Sequence, residues 1–131
     1  MLVADSSALI AALIGMPRDD RLVARIGSDG EIHVPHLVDV EVLHALRRLE
    51  RAGHIPSERA ESALTDFSDL ALIRYPHLPL MGRAWQLRQN LTAYDALFVS
   101  LAEALGVPLV TCDARIASAA GHSASVETYG T

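Results

Sequence analysis

The chain contains no lysine; its basic side chains, histidine aside, are all arginine. A P-loop, which needs Gly-Lys-Ser/Thr around its phosphates, is therefore excluded. Gly-x-Gly-x-x-Gly is absent as well, and Gly121-His122-Ser123-Ala124-Ser125 lacks the last glycine of a nucleophile elbow. A single cysteine, Cys112, rules out an internal disulfide and fits a reducing compartment, so a cytoplasmic location is expected. No apolar run approaches the roughly eighteen residues of a membrane span, and no basic stretch precedes the first apolar run; neither a span nor a signal peptide is expected. Aromatic residues make up only 5% of the chain, so its core must be built from Ala, Leu, Val and Ile. The formal net charge is −5, the wrong sign for a protein that grips nucleic acid everywhere on its surface. Any such contact must be a local arginine patch or a brief catalytic encounter.

What is present is a regular alternation. At 131 residues the chain is expected to form one domain, 1–131. Met1–Ala4 and Pro108–Asp113 are short bounded apolar runs of the kind that become buried parallel strands. Glu31–Pro35, Leu70–Tyr75 and Ser125–Tyr129 read as three further strands. Helices are expected at Ala8–Ile14, Arg21–Ile26, Leu37–Ala52, Pro56 to about Asp69, Pro79 to about Asn90, Ala96–Leu105 and a short stretch from Ala114. Strands that alternate with helices, often helix pairs, predict an α/β fold with a parallel sheet covered on both faces.

Four acids stand out. Asp5 and Asp113 end the two most apolar strands, and parallel strands bring their carboxyl ends to one edge, where open α/β sheets place their ligands. Asp95 begins the helix that leads into the strand ending at Asp113, so a crossover starts it near the same edge. Glu41 lies among Val38, Val40, Val42 and Leu43, an apolar setting in which a carboxylate needs a partner. Each acid also has a plain structural reading: Asp5 and Asp113 as helix N-caps, Asp95 as the acid of a Thr92 capping box, Glu41 as a solvated helix residue. Clustered carboxylates without lysine call for a hard divalent cation. All-oxygen donors favour Mg²⁺ or Mn²⁺ over zinc, and such a site activates water against a phosphodiester.

Val3–Leu9, Val40–Arg48, Tyr94–Val99 and Leu109–Arg115 resemble, in order and spacing, the four acidic motifs of PIN-domain ribonucleases. Length and layout are similar to VapC-type toxins of type II toxin–antitoxin modules. The resemblance implies a three-layer α/β/α sandwich around a five-stranded, mainly parallel sheet, and a Mg²⁺-dependent RNA endonuclease with Mn²⁺ as a possible substitute. It implies Asp5, Glu41, Asp95 and Asp113 as metal-binding and catalytic acids, with Ser6 and Thr111 as neighbouring hydroxyl helpers at the substrate. It also implies a cognate antitoxin and a homodimer.

Other residues carry two readings. Arg115, two residues past Asp113, is placed either to fork a substrate phosphate or to sit exposed on a short helix. Arg47, Arg48 and Arg51 form a basic patch or, with Glu50 among them, a solvated face. Tyr94 is placed to stack on a base or to pack beside a helix start. His44 reads as an ordinary helix residue, zinc at His33 and His36 lacks partner ligands, and His54, His77 and His122 are expected to be solvated. The long helix is apolar on more than one face, through Leu43, Leu46 and Leu49 beside Val38, Val42 and Ala45, which predicts a covering partner. Two rival functions remain: a phosphatase or phosphotransferase using an aspartate nucleophile, and an RNA-holding module without turnover. The first ordinarily has a second acid two residues on and a lysine; here Ser7 stands at that position and lysine is missing.

Overall fold

The computed structural model describes residues 1–28 and 30–130. Five strands form one sheet: β1 (Leu2–Ala4), β2 (Ile32–Pro35), β3 (Leu72–Tyr75), β4 (Leu109–Thr111) and β5 (Val126–Thr128). Their order is β3-β2-β1-β4-β5, and every neighbouring pair is parallel. The helices are α1 (Ser6–Ile14), α2 (Asp20–Ser28), α3 (Leu37–Arg51), α4 (Ser57–Ser68), α5 (Met81–Gln86, preceded by a 3-10 turn at Leu78–Leu80), α6 (Ala93–Leu105) and α7 (Ala114–Ser118). α1 packs with α2, α3 and α4, whereas α6 packs with α5 and lies against β1, β2 and β4. The architecture is the expected three-layer α/β/α sandwich.

Central position explains sequence character. β1 and β4 lie inside the sheet and are buried along their whole length, so neither needs a polar face. β3 is an edge strand: Ile73 and Arg74 are exposed, and Arg74 forks onto Asp39 at 2.9–3.0 Å. Phe98, Leu101 and Ala102 of α6 join Leu2, Val3, Leu9 and Leu109 in an aliphatic core. Gly106 closes α6 at φ 66°, a left-handed position where a Cβ would be strained.

Three expectations change. The helix expected over Pro79 to Asn90 ends at Gln86; beyond it the chain turns on itself, with the Asn90 N–H donating to the Leu87 carbonyl and Leu87 buried. Leu46 is buried and Leu49 half-buried, so the surplus apolar surface of α3 is Val40 and Leu43. Two histidines expected in solvent have structural tasks. His77 accepts the Leu37 N–H at 2.8 Å, supporting the start of α3, and His122 bridges the Ile116 carbonyl and the Ala124 N–H. No helix among the described residues is long and apolar enough to cross a membrane.

Candidate active site

The strand order reverses direction at β1, with β2 on one side and β4 on the other. The crevice outside the carboxyl ends at such a switch point is the usual ligand position of an open α/β sheet. Register then fixes the neighbours. Ala4 pairs with Val110 and the Asp5 N–H donates to the Val110 carbonyl at 3.2 Å, which sets Asp5 beside Thr111. Asp113 follows two residues later, at the start of α7. α3 leaves the same edge after β2, carrying Glu41 in its second turn, and α6 begins there, carrying Asp95 in its first turn.

Asp5 is both a cap and a site residue. Its Oδ1 accepts the Ala8 N–H of α1 at 3.0 Å and the Ser7 hydroxyl at 2.6 Å, while its Oδ2 accepts the Thr111 hydroxyl. Ser7 in turn accepts the Cys112 N–H at 3.0 Å, and Thr111 accepts the Asp113 N–H at 2.9 Å. Two hydroxyls thus weld the end of β1 to the end of β4 and fix the orientation of the Asp5 carboxylate. Burial pushes the Asp5 carboxyl above its ordinary value; the Ser7, Thr111 and Ala8 hydrogen bonds oppose this, and the Asp113 charge adds to it.

Glu41 and Asp95 show the same strain. Burial is the largest cause of the upward shift in each. Ser6 draws Glu41 down, but the charges of Asp95 and Asp5 raise it again. Asp95 is raised further by Asp5 and Asp113, against the opposing effects of Thr92 and Arg115. The Thr92 hydroxyl caps α6 by accepting the Asp95 N–H at 3.1 Å, so the capping reading of this turn also holds. Glu41 Oε1 is buried without a hydrogen-bond partner. Asp113 differs: Arg115 donates to it from Nε at 3.0 Å, from Nη2 at 2.8 Å and from its backbone N–H at 3.0 Å, and this holds the carboxyl below its ordinary value.

The four acids therefore face one another electrostatically at one sheet edge. Among the described residues no three acid, histidine or cysteine side chains are drawn into a closed cage for a metal ion. Asp113 turns both its oxygens to Arg115. The donor set nevertheless fits a hard divalent cation. It is all oxygen, it is short of positive charge, and it includes an orphaned buried oxygen on Glu41.

The hydroxyl helpers fall differently from expectation. Thr111 is fully buried and spends its hydroxyl on Asp5, so it cannot touch a substrate and instead positions the carboxylate. Ser6 is half-buried and lies with Glu41 along a groove of about 570 Å³. Ser7, which sequence reasoning passed over, makes the more important bonds. Its only sequence signal is a second serine in the first helical turn after a strand-ending acid. Arg115 lies at the rim with its side chain 90% exposed.

The chain as a whole matches a known family. A model of the PIN domain matches residues 2–122, and the chain belongs to that family. It is 44% identical over 120 residues to Ribonuclease VapC1 of Mycobacterium tuberculosis, spanning 91% of this chain and 90% of that protein. It is 36% identical over 127 residues to Ribonuclease VapC12 of the same species, spanning 97% and 98%. In fold it is similar to VapBC2 from Rickettsia felis, solved bound to a promoter DNA fragment, with TM-score 0.73 and 15% identity over 98% of each chain. PAE2754 from Pyrobaculum aerophilum gives TM-score 0.71 and 24% identity over 95% of this chain and 81% of that one.

Proposed function

We propose that this protein is a metal-dependent RNA endonuclease, the toxin of a VapC-type toxin–antitoxin pair. The observation that carries the reading is the meeting of Asp5, Glu41, Asp95 and Asp113 at the carboxyl edge of β1 and β4, three of them held above their ordinary pKa. The names of the relatives support RNA as substrate and an antitoxin as partner. Asp5, Asp95 and Asp113 would hold the cation, Mg²⁺ or Mn²⁺, with Glu41 close by. When bound, such a cation polarises a phosphoryl oxygen and lowers the pKa of a water.

The protein's own residues do the rest. Thr111 and Ser7 hold the Asp5 carboxylate in one orientation, so its geometry is set before substrate arrives. Glu41, with one oxygen unpartnered and its charge disfavoured, is the natural acceptor for a proton from attacking water. Arg115, its side chain 90% exposed at the rim, would exchange its fork on Asp113 for one on a substrate phosphate. Exposed Leu43 and Leu64 on α3 and α4, and Leu78, Met81 and Trp85 around α5, are apolar surface for an antitoxin segment and a second copy of the chain.

An aspartate-nucleophile phosphotransferase fits less well, because Ser7 stands where such enzymes carry a second acid and the chain has no lysine to hold the transferred phosphate. The test is cleavage of RNA by purified protein with Mg²⁺ or Mn²⁺, with chelator, and by Asp5→Asn and Asp95→Asn. Cleavage that stops in chelator and in both variants is expected. Full cleavage in chelator, or by both variants, would refute the reading.

A further inference from the structure

Three arginines follow one another on the last turns of α3, but the fold sends them to different places. Arg47 lies with Glu50 and Glu61 on the side facing α4. Arg48 instead falls in line with Glu41 and His44, at i, i+3 and i+7, so the three share one stripe of the helix. That stripe lines the groove that also holds Ser6 and Tyr94. Glu41 and Arg48 are separated by about 10 Å along the helix axis, so the cation stands a short way from the acids along the groove. Arg48 is exposed and has no acidic partner among the ion pairs of the described residues. Tyr94, next to Asp95 in the chain, is 61% exposed although its ring is large and apolar.

A strand of RNA that offers one phosphate to the acids must leave the site along some surface, and most of the acidic rim repels it. This groove combines the features that would accept it: an unpaired guanidinium, an imidazole, an uncovered aromatic ring, and an apolar wall from Val40. We propose that the groove is a subsite for one unpaired nucleotide next to the scissile phosphate, with Tyr94 stacking on the base and Arg48 holding the adjoining phosphate. The proposal rests on the ribonuclease reading and adds the two side chains that hold the nucleotide beside the scissile phosphate. Charge favours RNA over an acid-free apolar peptide here, because Arg48 and His44 supply donors without a carboxylate of their own beyond Glu41.

The test compares wild type with Tyr94→Ala, Tyr94→Phe, Arg48→Ala and Arg48→Lys. Binding of a fluorescent, unstructured, mixed-sequence oligoribonucleotide and its cleavage are measured over a range of salt concentrations. Both side chains are exposed, and melting curves confirm that the variants fold. Tyr94→Ala should weaken binding and raise KM about tenfold with little change in kcat, and Tyr94→Phe should restore most of the loss. Arg48→Ala should flatten the slope of log affinity against log salt by about 0.7, the share of one phosphate on a single strand, and Arg48→Lys should keep the slope. Wild type that cleaves RNA while both alanine variants keep its KM and salt slope overturns the subsite alone. Unchanged RNA binding with loss of antitoxin binding in these variants assigns the groove to protein and overturns it too. Wild type that neither binds nor cleaves any RNA overturns the ribonuclease reading and the subsite with it.

Discussion

Asp113 and Arg115 form a closed fork two residues apart, with Nε on one carboxylate oxygen and Nη2 on the other. The guanidinium is an internal counter-charge for an acid that would otherwise face Asp5 and Asp95. A cation entering the site has to share or displace it. Arg115→Gln should therefore raise the Asp113 pKa toward the ordinary carboxylate range and tighten Mn²⁺ binding. Because the pair is exposed, the gain should be no more than about fivefold. Calorimetric titration with Mn²⁺ measures it. Weaker binding in the variant would show that Arg115 orients Asp113 as a ligand instead of competing for it.

Thr111 offers a test of positioning separate from charge. Thr111→Val keeps the shape of a fully buried side chain but removes the donor to Asp5 Oδ2 and the acceptor for the Asp113 N–H. Leaving buried groups unpaired costs about 1–3 kcal/mol, which urea denaturation would register. Cleavage should fall as well, because Asp5 loses one of the bonds that fix it. A variant with wild-type stability would mean that water or Ser7 replaces the lost bonds.

Much of the fold was legible because its signals are local. Short bounded apolar runs mark β1 and β4, and an acid at the end of each marks the switch-point edge. The α6 start was legible in Thr92 and Asp95, since capping is a three-residue event. The Ser7–Thr111–Asp5 network was not, because it joins residues more than a hundred positions apart through the β1–β4 register. The burial of Leu46 was equally hidden: an apolar helix looks the same in sequence whether α4 or another chain covers it. The same holds for Arg48, which is distinguished from Arg47 only once α4 has taken one side of α3. The structural and functional readings of Asp5 and Asp113 were never exclusive, since a helix starting at the carboxyl edge uses its cap where the ligand sits.

Away from the site, Glu103 ties α6 to α5 and to the turn before β5. It accepts Arg83 Nε at 2.8 Å and Nη2 at 3.0 Å, and the Ser123 N–H at 2.7 Å. These bonds, Arg83 first, lower its pKa from 4.5 to about 2. A depressed carboxylate contributes stability that is fully present above its unfolded pKa and is lost as pH falls through the folded value. Glu103→Gln should thus be less stable than wild type at neutral pH, and the gap should close between pH 4.5 and about 2. Urea melts of both proteins across that range give the comparison. A gap independent of pH would mean that packing, not charge, accounts for the difference.

Glu41 separates the cost of the site from its use. Its carboxylate is pushed up by burial and by the charges of Asp95 and Asp5, so the charged form at neutral pH is held against the preference of the fold. Glu41→Gln removes that charge and keeps nearly the same shape, and the neutral amide tolerates the buried setting of Oε1 better. In the metal-free protein the substitution should add about 1 kcal/mol of stability, from repulsion that amounts to about 4 kcal/mol for charges 4 Å apart at an effective dielectric of 20 before screening. For a domain of this size that raises the melting temperature by about 3–6 °C. Added Mg²⁺ should raise the melting temperature of wild type, because ligand bound only to the folded state stabilises it, and should raise that of the variant much less. Cleavage by the variant should be lost although its fold is firmer. Thermal melts with and without Mg²⁺, run beside an RNA cleavage assay, decide the matter. A variant that is destabilised, responds fully to Mg²⁺ and cleaves like wild type would place Glu41 outside the metal site and leave its unpartnered oxygen without a catalytic purpose.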